Sequence, residues 1–395
     1  ISIAILSLPP VSGQGENDRY AALNRLIREK GYHWIAGRTG VSELSPAEKK
    51  QLLGRIPPPP GTDSGIPVIE APAGATFAPV FDWRARGETT VAKNQGGCGS
   101  CWAFAAVGQM ESHIAIYEGR FEDLSEQQIL SCNPYGAGCG GGWAEAAYAV
   151  FKDSGAVHEN CMPYETRDDL PCAMDGCLIH GHISGYSSVS NNVTAIKQAL
   201  LTGPVWTGIE IVDRFYDYVG GCFNWEDVVI GYHAVLIVGW DDTKCGGEGA
   251  WIIKNSWGRS WGLDGYGYVK YGANGIGSPT YRIDYALNPV YVHVDSPTRS
   301  IRTTPIRSTA RRLFPTRSHL PVSWSSRSST RRGSSCGRSS GNTARRDGIE
   351  SSGTDGMTRG AASRRGYTSA GSKRAVSGIR GRSSISVRAP ALLTP

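Results

Sequence analysis

The chain has 395 residues and a formal net charge of +6, but that figure sums two unlike parts. Residues 297–395 hold 20 Lys and Arg against 3 Asp and Glu, and residues 1–296 hold 21 against 32, so an acidic body precedes a basic tail. No run of about eighteen apolar residues occurs, which excludes a membrane-spanning helix, and ten cysteines are too many for an ordinary cytosolic enzyme and point to an oxidising compartment.

The opening "ISIAILSLPPVSG" has an apolar run followed by small residues. It is expected to be the remnant of a secretory signal, residues 1–15. Residues 16–56 read as helical. In "NDRYAALNRLIREKG", Tyr20, Leu23, Leu26 and Ile27 fall at three-and-four spacing, with Asn17 or Asp18 as cap and Gly31 as stop. "LSPAEKKQLLG" predicts a second short helix, capped by Ser45, with Pro46 in its first turn and Gly54 at its end. The proline run that opens residues 57–74 predicts an extended, exposed connector open to proteolysis.

Residues 77–296 form the next unit. Its first half is rich in helix. "CWAFAAVGQMESHIAIYEG" opens at Cys101, "LSEQQILSC" is capped by Ser125, and "GWAEAAYAVFKDSG" follows. Its second half alternates β-branched and aromatic residues between glycines, as in "HAVLIVGWD", "GAWIIKNSW", "GYGYVKYG" and "TYRIDYAL". Helices first and strands later predict an α+β fold of two facing lobes. Residues 297–395 have almost no periodic hydrophobicity and are expected to be a disordered tail.

Nine cysteines lie between positions 98 and 245, an odd number, so one is unpaired unless Cys336 of the tail reaches in. Cys98 and Cys101 form a CxxC. Zinc would need a second ligand pair, and none follows. A redox CxxC would need a preceding strand, and the strands come too late. His180 and His182 in "LIHGHIS" share a strand face but read as surface residues, so no metal and no cofactor are expected. Cys101 opens an apolar helix, where unpaired backbone N–H groups and the dipole favour thiolate. A thiolate nucleophile needs a base from elsewhere in the fold. His233 in "GYHAVLIVGWD" starts an apolar strand and is the best placed. Asn255 in "WIIKNSWG" can orient it, with Trp257 shielding the pair. The Gln95 amide can meet a developing oxyanion beside the Cys101 N–H.

Together "DWRARGETTVAKNQGGCGSCWAF", "LSEQQILSC", "GCGGGW", "MPYE", "HAVLIVGWD" and "IIKNSWGRSWGLDGYGYV" resemble, in family order over about 77–286, the papain family of cysteine proteases. The resemblance implies Cys101 as nucleophile, His233 as base, Asn255 as orienter and Gln95 in the oxyanion hole. It implies a helical left lobe and a β-barrel-like right lobe with a cleft between them. It implies the disulfides Cys98–Cys139 and Cys132–Cys172. The remaining Cys161, Cys177, Cys222 and Cys245 allow three pairings, of which the local ones, Cys161–Cys177 and Cys222–Cys245, are expected.

By the same resemblance, Gly141 and Gly142 offer backbone groups to an extended peptide. Trp143 and Ala144 would line the pocket for the second side chain before the cut, with Gly208 and Gly231 on its other wall. Such a pocket predicts a hydrophobic rather than charged preference there. The family's dipeptide-trimming members carry a loop insertion, and the nineteen residues between Trp143 and Pro163 leave no room for one, so internal cleavage is expected. Residues 16–76 would be a propeptide that inhibits its own enzyme, lying in the cleft by Tyr32 and Trp34 and cut within 57–78. The expected product is a secreted or lysosome-like monomer acting on proteins or peptides. The alternative is a catalytically silent papain-fold peptide binder whose basic tail meets nucleic acid or anionic surfaces. The tail has few aromatics for base stacking (Phe314, Trp324, Tyr367), so nucleic-acid binding is not expected. Asn192 in "NVT" is a formal glycosylation sequon of little weight.

Overall fold

The computed structural model describes residues 13–62 and 65–287. The expected signal remnant up to residue 12, Cys336 and the basic tail lie outside the described residues. In chain order the elements are α1 (Gly13–Glu29), β1 (His33–Ala36), α2 (Pro46–Gln51), β2 (Val68–Ile69), β3 (Val80–Asp82), α3 (Cys101–Glu118), α4 (Glu126–Cys132), α5 (Ala144–Asp153), β4 (Ala156–Val157), β5 (Ile179–Val189), α6 (Val193–Leu200), β6 (Val205–Ile211), β7 (Tyr218–Phe223), β8 (Gly231–Asp241), β9 (Ala250–Lys254), β10 (Tyr266–Lys270) and β11 (Thr280–Ala286).

The helices gather in the first half of the body. From Cys101 through Ala115 every residue of α3 is buried, so this helix is the central rod of the molecule rather than an amphipathic surface helix. It stops at Gly119, whose φ of 67° is left-handed. Ser125 caps α4 by accepting from the Gln128 N–H. Trp102, Met110, Ile114, Leu130, Tyr148 and Phe151 form the core of this lobe.

The strands form one mixed sheet in the order β1-β7-β10-β9-β8-β6-β11-β5-β2, with β3 on β8 and β4 on β5. Leu200, Phe215, Tyr218, Phe223, Ile237, Trp251 and Trp261 fill the second core. The helix α6 carries the sequon residue. Asn192 is its N-cap, the side chain accepting from the Ala195 N–H at 2.8 Å, so this asparagine already has a structural task.

Residues 16–56 are less helical than expected. The first helix begins at Gly13, ahead of Asn17 and Asp18, and ends before Gly31, whose φ is +72°. Ser45 and Glu48 form a reciprocal capping box on α2. Between the two helices the chain is a strand. β1 pairs antiparallel with β7, His33 opposite Cys222, and extends the sheet. Its alternation turns Trp34 and Ala36 inward and His33 and Ile35 outward. Trp34 packs 5.0 Å from the Phe223 ring and 5.8 Å from Trp225, and Tyr32 lies 5.2 Å from Trp225. Arg19 reaches the buried Asp217 at 3.2 Å and Lys49 reaches Asp213 at 3.3 Å. Tyr32 and Trp34 therefore anchor this segment on β7 and the loop after it. They do not lie in the cleft. Two aromatic surfaces that bury each other are better partners than an open groove for an extended peptide.

Candidate active site

Cys101 is the first residue of α3 and is fully buried, and it is the free cysteine among the described residues. The other eight pair as Cys98–Cys139, Cys132–Cys172, Cys161–Cys177 and Cys222–Cys245. The Cys101 sulfur accepts from the Ala234 N–H at 3.4 Å, which sets β8 of one lobe against the helix start of the other. His233, the preceding residue, has its Nε2 2.7 Å from Asn255 Oδ1. That bond leaves the buried Nδ1 facing the backbone of Leu52. Asn255 Oδ1 also accepts from the Ser256 N–H at 2.8 Å, which holds the amide still. The Trp257 ring lies 4.7 Å from the imidazole and is itself buried, so it shields the pair from water. Gln95 is locked from both ends. Its Oε1 accepts from Ser256 Oγ at 2.6 Å, and its Nε2 donates to Cys98 O at 2.8 Å.

A segment of the same chain covers these groups. Gln95 Nε2 donates to Leu52 O at 3.1 Å. Gly142 N–H donates to Gly54 O at 2.8 Å, and Ile56 N–H donates to Gly142 O at 3.0 Å. These two bonds flank Arg55 and make a parallel bridge with Gly142. Leu52 to Ile56, not Tyr32 and Trp34, are the residues that fill the cleft. The glycines there are small because the chains nearly touch. A Cβ at Gly54 would fall on the Gly99 backbone, one at Gly142 on the Trp102 ring, and one at Gly141 2.9 Å from Gly54 O and from Ile56. Gly54→Ala should thus push the segment outward at a cost of about 1–3 kcal/mol. Epoxide labelling of Cys101 in the uncut chain should rise about tenfold. Unchanged labelling would show that the fit at Gly54 is not tight.

The glycines expected on one pocket wall receive different side chains. Gly208 faces Arg55 and Gly231 faces Leu53. Trp143 and Ala144 open α5 and are both buried, Trp143 beside the Tyr135 ring. Sequence reasoning did not single out Arg55, because nothing local marks an arginine that will sit in a cleft.

The charge state differs from the expected thiolate. Burial pushes the Cys101 thiol up to about 11, against weaker lowering by the backbone of Ala234, Gly54 and Trp102 and by the Arg55 charge. Burial also pulls His233 down to about 4, against its bond to Asn255. Under its cover the pair is neutral, because a dry site penalises both charges more than the helix start favours one. His180 Nδ1 lies 2.9 Å from the Glu122 carboxylate, and among the described residues no three His, Cys, Asp or Glu are arranged to hold a metal.

Comparison with known proteins agrees with this architecture. The "Papain family cysteine protease" profile matches residues 77–284. Human cathepsin O is 34% identical over 270 residues, covering 66% of this chain and 82% of that protein. Digestive cysteine proteinase 1 of Homarus americanus is 38% identical over 194 residues, covering 47% of this chain and 59% of that protein, so the match spans little more than half of that relative. Among solved structures, digestive procathepsin L2 from Tenebrio molitor larval midgut has a TM-score of 0.62 at 29% identity, over 69% of this chain and 90% of that one. Recombinant stem bromelain precursor gives 0.60 at 27% identity, over 68% and 90%. With a lone cysteine at a helix start, a His–Asn pair across the lobe boundary and a profile match over more than half its length, the chain belongs to the papain family of cysteine proteases.

Proposed function

We propose that the chain is the zymogen of a cysteine endopeptidase. One observation carries the reading: the unpaired Cys101 lies beside the His233–Asn255 pair with a peptide of its own chain laid across it. In the proposed reaction the thiolate attacks the carbonyl carbon of the scissile bond. Gln95 Nε2 and the Cys101 N–H hold the oxyanion, where Gln95 now holds Leu52 O. His233 gives a proton to the departing amine, and the acyl group stays on sulfur. Water, deprotonated by His233, then attacks the acyl carbon, and the carboxylic acid leaves with Cys101 restored.

The prosegment, residues 16–76, is read as the inhibitor and residues 77–296 as the enzyme. Support comes from the parallel bridge at Gly142 and from similarity to structures named as a procathepsin and a precursor. An exposed connector at 57–62 leaves the cut accessible. The disulfides fit secretion or a lysosome-like compartment. The test is alkylation by a peptidyl epoxide. The uncut chain should resist labelling. After cleavage within 57–78 and removal of the prosegment, Cys101 should take one equivalent. No labelling of the freed enzyme would overturn the reading.

A further inference from the structure

The cleft carries a side-chain clue to the substrate. Strand β6 puts Gly208 and Glu210 on one face, with Ile209 buried on the other. Gly208 faces Arg55: its missing Cβ would lie 2.8 Å from Arg55 Nε and 2.9 Å from Cδ. Any side chain at position 208 would displace the arginine. Glu210 stands opposite Tyr232 in the β6–β8 ladder, so the two side chains share that face. The Arg55 guanidinium lies over the Tyr232 ring at 5.0 Å. Glu210 is within electrostatic range of it and is held close against Gly275, whose Cβ would come within 3.0 Å of the glutamate Cγ.

Glu210 has no ion-pair partner among the described residues, and Arg55 Nε is buried without a hydrogen bond. The prosegment's Arg55 lies against this wall and this ring without an ion pair to Glu210 among the described residues. A small wall, an aromatic face and a carboxylate without a partner form a receptor for a long cation.

We propose that Glu210 selects an arginine or lysine side chain at the substrate position two residues before the cut. This rests on the protease reading above. It replaces the hydrophobic preference expected from sequence, in which Gly208 was seen but Glu210 was not. Residues 297–395, with 19 arginines, would then be a dense source of cleavable sites within the chain itself.

The test uses matured enzyme and four fluorogenic peptides that differ only at that position: Arg, Lys, Leu and Phe. Arg and Lys should exceed Leu in kcat/KM by about tenfold or more, the size of one charge-assisted contact. In Glu210→Gln the Arg/Leu ratio should fall about tenfold, and Glu210→Asp should keep part of it. A merely structural role for Glu210 would lower all four peptides alike and leave the ratio fixed, which would overturn the proposal. So would a wild-type preference for Leu or Phe. If no peptide is cut and the epoxide does not label Cys101, the protease reading fails and this proposal with it.

Discussion

Cys101→Ser should lower kcat/KM for every peptide substrate on the order of 10⁴-fold or more, with the fold intact. A serine hydroxyl is far less acidic than a thiol, so an imidazole able to take a proton from sulfur is too weak a base for so reluctant a proton. Sulfur's bond from Ala234 N–H can pass to oxygen with little rearrangement, so the melting temperature should stay within a few degrees. The variant should also remain uncut at 57–78 if maturation is self-catalysed. Activity within about tenfold of the parent would contradict the nucleophile assignment.

The neutral pair under the cover gives this loss a mechanism. A thiol and a neutral imidazole carry one proton between them, and so do a thiolate and an imidazolium. In the proposed zymogen, prosegment release would readmit water and let that proton move from Sγ to the imidazole without exchange with solvent. The helix start then favours the anion, as the sequence suggested, because desolvation no longer opposes it. Latency in this reading is electrostatic as well as steric: the cover blocks the cleft and also removes the reactive charge state.

The site was legible because its parts carry strong local signals. Cys101 follows a glycine-rich turn and opens an apolar run. His233 begins an uninterrupted β run, and Asn255 ends another. Each signal is confined to a few residues. The prosegment was harder. Trp34 and Ala36 alternate over only four residues, too short to oppose the helical pattern on either side, and their strand exists because β7 offers an edge. The path of Leu52–Ile56 through the cleft depends on Gly54 meeting Gly99 and Gly142, pairs separated by dozens of residues. Glu210 escaped notice for a similar reason. Its meaning comes from Gly208 beside it and Tyr232 across the ladder, and that face is defined only once β6 and β8 pair.

Lowering the pH from 7 to 4 should cost the folded chain about 3 kcal/mol through His113 alone, and Glu126 should offset a comparable amount. His113 sits on α3, 1% exposed, its Nδ1 bonded to Gln109 O at 2.9 Å and its Nε2 without a partner. Burial lowers it to about 4, with the Arg282 charge adding to the effect and Asp284 opposing it. The unfolded imidazole binds a proton near pH 6.5, so its contribution is full above that value. It is lost as pH falls and levels off below about 4, where both states are protonated. Glu126 acts in the other direction. Burial raises it to about 8 in spite of Lys93, so its contribution is present below the ordinary carboxylate range and is lost as pH rises through 8. The two can be separated by comparing wild type with His113→Gln by urea unfolding at pH 7 and at pH 4. The stability difference between the two proteins should shift by about 3 kcal/mol in favour of the variant at pH 4. A difference independent of pH would mean that His113 keeps its ordinary titration and that the acid sensitivity of the fold lies in other groups, His233 first among them.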